Sequence, residues 1–498
     1  MRVRGPTWWA DRGSLFRFHF RSEETSLVST TTREADEAAT GTGTHVPRSR
    51  IIFASLVGTS IEFYDFYVYA TAAISVFPLL FFPAADASGA LLASLATFGV
   101  AFIARPVGSV VFGHFGDRLG RKATLLGSLL TMGIATVLIG LLPTYHQIGL
   151  WAPAMLAIMR FCQGLGLGGE WSGAALLATE TAEKGKRARA AMWPQLGAPI
   201  GFLFANGFFL LLTIWMGHDS TDPQHDGTFL TWGWRVPFLA SAVIVALGVY
   251  VRVKLEETPV FARAVARGEK VKTPLKAVLQ TSWRQLIQGT FIMLATYTLF
   301  YLFTTWILSY AIGATENGML GIGYRQFLVL QLIAILFFAA MTPVSGALAD
   351  RFGRKPFLIV VTALILLFGF TFNAFLAPET MGTGDGANLG LMLVFLIIGM
   401  TLMGLTFGVQ SAILPELFPT NVRYTGSAIA YNFSSILGAA VAPFVAAWLV
   451  QNYGVAWVGV YLASMALLTL LSLFSTKETR DLDLDTLSDA PEAERVTA

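Results

Sequence analysis

Charge is what this sequence has least of. Asp, Glu, Lys and Arg make up 13% of its 498 residues, about half the roughly 25% of a soluble globular chain. The mean hydropathy is +0.61, so most of the surface is expected to face lipid. The single cysteine, Cys162, excludes an internal disulfide and any site of several cysteine ligands, and reduced packing is its expected role. No GxxxxGK[ST] stretch occurs, which argues against an ATP-driven pump. The six histidines show no metal-ligand spacing, and neither a metal nor a cofactor is expected. A net charge of +3 defines no partner, and no nucleic acid is expected. Residues 1–48 lack the apolar core of a signal peptide and read as a polar, disordered extension. The acidic tail 475–498 has no heptads and therefore no coiled coil.

What is abundant is apolar length. Crossing a ~30 Å hydrocarbon core takes about 20 helical residues. Twelve runs qualify: 51–82, 89–112, 123–142, 151–178, 189–215, 232–252, 285–312, 325–349, 356–377, 388–413, 424–450 and 455–474. The joining segments differ sharply in Lys and Arg. One set holds Arg118, Arg121 and Lys122, then Lys184, Lys186, Arg187 and Arg189, then the basic stretch 253–284, then Arg351, Arg354 and Lys355, then Arg423. The opposite set (83–88, 143–150, 216–231, 313–324, 378–387 and 451–454) has no Lys or Arg. The positive-inside rule places the first set, and both termini, in the cytoplasm. Arg235 and Arg325, just inside outer helix ends, are expected to snorkel.

The chain also repeats itself. GHFGDRLGRK at 113–122 recurs as GALADRFGRK at 346–355. Glu180 precedes Arg187 by seven residues, and Glu416 precedes Arg423 by the same interval. Two matches at nearly one offset indicate two six-helix halves. The expected organisation is an extension over 1–48, a bundle over 49–252, a cytoplasmic loop over 253–284, a second bundle over 285–474 and a tail over 475–498. In the repeated loops Gly113, Gly120 and Gly353 permit tight turns. Asp117 and Asp350 can cap a neighbouring helix and pair with Arg118, Arg121, Arg351 or Arg354. With Glu180–Arg187 and Glu416–Arg423, these are the expected gating residues.

GHFGDRLGRK after a second membrane helix resembles the signature loop of the major facilitator superfamily. GTSIEFYDFYVYA, ARPVGSVVFGHFGDRLGRK, RFCQGLGLGGEWSGAALLATE, GWRVPFL and PELFPTNVRYTGSAIAYN resemble its metabolite:proton symporter branch over roughly residues 50–480. The resemblance implies an all-α membrane fold of twelve helices in two pseudo-symmetric six-helix bundles, with helices 1, 4, 7 and 10 around a central cavity. Similar family members carry organic acids or zwitterionic osmolytes such as proline and betaine.

Charged residues inside membrane helices are functional by default. Five lie deep in the first half: Glu62, Asp65, Arg105, Arg160 and Glu170. At ~1.5 Å per residue they form two strata, Asp65 with Arg160, and Glu62 with Arg105 and Glu170. Three carboxylates against two guanidiniums leave one uncompensated, and a buried unpaired carboxylate tends to take a proton. FYD at 63–65 and RFCQG at 160–164 resemble positions that form a proton-sensitive acid–Arg pair in sugar porters. Asp65 is therefore the expected proton carrier, with Arg160 as modulator and Glu62 and Glu170 in reserve. Fixed structural ion pairs remain the alternative.

For the substrate, Tyr297, Tyr301, Trp306, Trp171, Gln410, Tyr431 and Asn432 are candidates. Aromatic faces suit an ammonium group, and Arg105 or Arg160 suits a carboxylate. GLGLGGE at 164–170 lies in an apolar helix with no strand before it, so close helix packing explains it better than nucleotide binding. The sequence thus points to a non-enzymatic, proton-coupled importer of a small polar metabolite. It is expected to act as a monomer in the plasma membrane, with the lipid bilayer and a small-molecule substrate as partners. An antiporter or exporter of the same fold and a non-transporting solute sensor stand as alternatives.

Overall fold

The computed structural model describes residues 48–482 except 84–85, 120, 169–178, 180–181, 183–184, 217–227, 254–273 and 420–421. For 48–52, 54, 113–119, 121–125, 251–253 and 274–277 it describes the backbone course alone. A backbone in hydrocarbon must satisfy its polar groups internally, which favours helices. Twelve helical stretches follow: α1 (Arg48–Ser75), α2 (Ala87–Leu119), α3 (Arg121–Leu141), α4 (Trp151–Leu167), α5 (Arg187–Met216), α6 (Phe229–Tyr250), α7 (Trp283–Ile312), α8 (Tyr324–Phe352), α9 (Arg354–Gly369), α10 (Leu389–Glu416), α11 (Arg423–Tyr453) and α12 (Val455–Ser475). Among the described residues, eight are individually long and apolar enough to cross a membrane: α2, α5, α6, α7, α8, α10, α11 and α12.

Each of the twelve expected runs holds a described helix, and the packing repeats with them. In the first half α2 lies along α4, α1 along α5 and α3 along α6. Six helices later α8 lies along α10, α7 along α11 and α9 along α12. Between the halves, α5 meets α8 and α10, and α2 meets α11. Three stretches hold π-helical turns, at Phe229–Gly233, Leu302–Trp306 and Ser435–Ala440.

Small residues set the closest approaches. A Cβ on Gly164 would sit 2.2 Å from Ala101 O, and one on Gly108 would sit 2.1 Å from Leu165 O. The glycines of 164–168 therefore act as contact points between α4 and its neighbours α2 and α3.

Two expectations about helix ends need correction. The repeated segments read as loops, yet α8 runs helically to Phe352 and α2 to Leu119. A single residue, Gly353 at φ +101°, makes the turn into α9. Only the turn itself needs a special backbone, so the flanking residues extend the helices. Arg235 does not simply snorkel. Its Nη1 donates to Gly140 O at 2.9 Å and Leu142 O at 2.7 Å, and its guanidinium stacks on Trp234 at 4.4 Å. A cation on the last carbonyls of α3 is favourable for the helix dipole.

Candidate functional site

Asp65 is fully buried in α1. Its Oδ1 accepts a 2.6 Å hydrogen bond from Ser241 of α6, and its Oδ2 accepts one of 3.2 Å from Thr136 of α3. The expected ion pair with Arg160 is not made. Arg160, also fully buried, donates from Nη1 to Gln163 Oε1 at 2.5 Å and from Nε to Phe98 O at 3.4 Å. Among the described residues its Nη2 has no hydrogen-bond partner. The guanidinium lies over Tyr69 at 3.9 Å, Phe66 at 4.7 Å and Phe98 at 5.0 Å. Aromatic faces replace a carboxylate as its surroundings. Gln163 Nε2 in turn donates to Thr136 Oγ1 at 2.8 Å. Asp65 and Arg160 are thus joined through two neutral side chains instead of directly.

The other stratum forms a cavity of about 320 Å³, counting the part open to solvent, lined by Glu62, Phe63, Phe66, Arg105, Tyr297, Phe300, Tyr301, Phe407 and Tyr431. Both halves contribute walls. Arg105 packs over Phe102 at 4.7 Å and Phe66 at 5.6 Å, and among the described residues its Nε has no hydrogen-bond partner. Tyr297 stacks on Tyr301 with centroids 6.4 Å apart and meets Tyr431 edge-on at 5.4 Å. One cation, one carboxylate and several ring faces make an amphoteric site that suits a small solute with a carboxylate.

The structure therefore brings Glu62, Arg105, Tyr297, Tyr301 and Tyr431 together. It places three other candidates elsewhere. Trp306 stacks on Tyr310 at 5.4 Å and on Phe372 at 6.4 Å, inside the second half. Gln410 donates to Thr296 Oγ1 at 2.6 Å, bracing α10 to α7. Asn432 donates to Ser109 Oγ at 3.0 Å, tying α11 to α2. Glu170 and Trp171 lie outside the described residues. Sequence reading missed Phe63, Phe66, Phe300 and Phe407 on the cavity wall, and Thr136, Gln163 and Ser241 around Asp65. A Gln three residues after a membrane Arg was the one available signal.

The end of the molecule that bears the DRxGRK segments is closed by contacts between the halves. Asp350 at the end of α8 accepts from the backbone N–H groups of Ala188 and Arg189, each at 3.1 Å, capping α5. It pairs with Arg354 at 3.1 Å. Arg354, fully buried, also meets Glu416 at 3.4 Å. Ser411 of α10 donates to Ala191 O at 2.8 Å, and Gln195 of α5 donates to Phe407 O at 3.1 Å. The segment after α12 folds back over this end. Glu478 accepts from the N–H groups of Arg354 and Lys355, each at 2.9 Å, capping α9. Thr479 donates to Glu416 at 2.7 Å, and Arg187 of α5 donates to Leu482 O at 2.9 Å. Arg351 O accepts from Arg480 at 3.1 Å, and Arg423 donates to Phe418 O at 3.3 Å. Gly113, Asp117, Arg118 and Arg121 lie where only the backbone course is described, and Gly120 and Glu180 lie outside the described residues.

Comparison with known proteins places this geometry. The profile of the Major Facilitator Superfamily matches residues 56–439. The chain is 56% identical over 438 residues to the inner membrane metabolite transport protein YhjE of Escherichia coli K12, covering 88% of this chain and 96% of that one. It is 33% identical over 465 residues to the proline/betaine transporter of Salmonella typhimurium, covering 90% and 88%. It is 34% identical over 435 residues to the shikimate transporter of Escherichia coli K12, covering 86% and 95%. Among solved structures, a D-xylose-proton symporter superposes with a TM-score of 0.64 at 18% identity, over 87% of this chain and 99% of that one.

Proposed function

Since the chain belongs to the Major Facilitator Superfamily, we propose that this transporter is a proton-coupled symporter that imports a small polar metabolite bearing a carboxylate. It is a multi-pass protein of the plasma membrane. Asp65 is the proton carrier, and the cavity between Glu62, Arg105 and the tyrosines of α7 and α11 is the substrate site. The single chain is the working unit.

One observation carries the reading. Asp65 is a fully buried carboxylate whose partners are two hydroxyls, with no cation within salt-bridge reach among the described residues. Burying an unpaired charge is expensive, and a proton removes that cost. The carboxylate sits between α1, α3 and α6, close to the cavity but not on its wall. Proton and substrate can therefore be bound together. Sites that bias the same change of state are coupled reciprocally.

Supporting the substrate side, the relatives named above are transporters of proline and betaine or of shikimate. These molecules share one carboxylate. A guanidinium with a spare donor, Arg105 Nε, suits that group. The ring faces suit either an ammonium or a carbon ring. With the DRxGRK end in the cytoplasm, as the Lys/Arg asymmetry asks, the contacts of Asp350 and the C-terminal segment keep the inward path shut until substrate and proton are bound.

The test is uptake into proteoliposomes under an imposed pH gradient, with proline, glycine betaine and shikimate as labelled probes. The parent protein should accumulate at least one of them, and a protonophore should abolish the accumulation. Asp65→Asn should lose accumulation yet keep exchange down a gradient. Intact accumulation by Asp65→Asn refutes the assignment of the proton carrier. Outward flux driven by inward protons would make the protein an antiporter, and binding without flux would make it a sensor.

A further inference from the structure

We propose that Thr136 and Gln163 form a switchable hydrogen-bond link through which Arg160 reads the protonation state of Asp65. The inference rests on the proton-coupled reading above and adds two positioning residues to it.

Donor and acceptor logic fixes the direction of the link. Arg160 can only donate, so the Gln163 atom 2.5 Å from its Nη1 is the carbonyl oxygen. The amide nitrogen of Gln163 then faces Thr136 at 2.8 Å and must donate. Thr136 Oγ1 is thereby an acceptor and has one proton left to give. Two acceptors compete for it, Asp65 Oδ2 at 3.2 Å and the α3 carbonyl of Met132 at 3.0 Å. An ionised Asp65 draws the Thr136 proton, and an unbroken chain of aligned dipoles runs from cation to anion. Such chains polarise cooperatively. A protonated Asp65 can donate back to the second lone pair of Thr136, whose own proton turns to Met132 O. One proton enters and forms the O–H bond of the Asp65 carboxyl, one hydroxyl rotates and no other covalent bond changes.

The surroundings leave Arg160 dependent on this link. Among the described residues its Nη2 has no partner, and its bond to Phe98 O is long at 3.4 Å. Gln163 makes its one short hydrogen bond. The titratable groups next to Asp65 on α1 are engaged elsewhere: Tyr64 donates to Pro237 O on α6 and Tyr69 to Thr97 on α2. The elements packed on Asp65, α3 and α6, face it with the hydroxyls of Thr136 and Ser241. Arg105 and Glu62 belong to the cavity. The Phe66 ring meets both guanidiniums, with its centroid 4.7 Å from Arg160 and 5.6 Å from Arg105. A loosened Arg160 therefore changes the packing of a ring that lines the substrate site.

The experiment reads Asp65 without transport. Infrared spectra of the full-length protein in lipid are recorded over a pH series. The carboxylic C=O band that is absent from Asp65→Asn is assigned to Asp65. Arg160→Gln should move the pH midpoint of that band by about one unit or more, a tenfold change in proton affinity. In a Gln163→Leu background the same Arg160→Gln step should shrink to less than about half, as a double-mutant cycle on coupled residues requires. Thr136→Val should act like Gln163→Leu, while Thr136→Ser, which keeps the hydroxyl, should act like the parent. Either of the two breaking variants suffices if the other fails to fold. An Arg160→Gln step of equal size with and without Gln163 overturns the link, since the coupling is then through space. No step in the parent, or no titrating Asp65 band, overturns it as well. Failure of symport is seen separately, in the uptake assay.

Discussion

Asp350→Ala tests how the DRxGRK end is held shut. Asp350 makes two kinds of contact with different thermodynamic weight. Its pair with Arg354 at 3.1 Å lies within the second half. It therefore survives any rigid movement of the halves and cancels from their equilibrium. Its bonds to the Ala188 and Arg189 N–H groups, 3.1 Å each, and its 3.9 Å approach to the Arg189 guanidinium cross between the halves. Only these break when the end opens. A helix cap is worth about 1 kcal/mol, and a carboxylate at a helix N-terminus adds roughly 0.3–1 kcal/mol through the dipole. The Arg189 pair adds little, because that side chain is 53% exposed. The closed state should lose about 1–2 kcal/mol, shifting the equilibrium roughly 5- to 30-fold toward opening. Spin labels at Lys186 and Phe352, both exposed, in a Cys162→Ser background report this directly. The pulsed electron resonance distance distribution should gain a longer component in Asp350→Ala. Asp350→Asn, which keeps an acceptor for the cap, should gain less. An unchanged distribution in Asp350→Ala refutes the capping argument.

Three further outcomes follow from the geometry. Arg105→Gln should weaken binding of a carboxylate-bearing solute about tenfold or more, with Arg105→Lys retaining part of the affinity, since a charged hydrogen bond is worth about 1.5–3 kcal/mol; calorimetric titration with proline, betaine and shikimate decides it. Gly164→Ala places a methyl 2.2 Å from Ala101 O, so α2 and α4 must part, and overpacking of this kind costs about 1–3 kcal/mol. Its Tm in detergent should fall, whereas Gly207→Ala, which meets nothing within 4 Å, should match the parent. Glu478→Ala removes both caps on α9 and should lower the Tm by the equivalent of about 1 kcal/mol; a Tm equal to the parent's would show that the C-terminal segment is not held there in solution.

How much of this was legible in the sequence depended on what each residue needed to be recognised. The helices were legible because a membrane demands ~20 apolar residues whatever the neighbours are. The glycines at 164–168 were legible for a similar reason: without a strand before them, only packing was left. The identity of the buried charges was visible, but their partners were not. Thr136 and Ser241 stand 71 and 176 residues from Asp65, on helices whose rotation no local pattern sets. The Asp65–Arg160 pair failed for that reason, because equal depth does not imply a shared face. Trp306 failed for another. α7 is buried along nearly its whole length, so its sequence carries no polar face to say which aromatics turn to the cavity. Tyr297 and Tyr301, four residues apart, face it, and Trp306 does not. The C-terminal segment was missed because Glu478 acts through backbone N–H groups of α9, which leave no trace in residue type.

The two halves share a fold and divide its chemistry. The repeated pairings of α1 with α5 and α7 with α11 give both halves the same frame. Yet the deep charges Glu62, Asp65, Arg105 and Arg160 all stand on α1, α2 and α4, and the cavity that Glu62 and Arg105 line takes Tyr297, Tyr301 and Tyr431 from the second half. The interior of the second half is set by ring stacking, as among Phe303, Phe368, Phe372 and Phe395. Its buried ions, Arg354 and Glu416, gather at the DRxGRK end. On the proton-coupled reading proposed above, a proton bound at Asp65 would act on groups that can reorganise by turning a hydroxyl. The second half offers a stiff aromatic wall against which that change is felt. In the proposed cycle, symmetry of the frame would let the halves rock about a common site, and asymmetry of charge would make the movement answer to the proton from one side of that site.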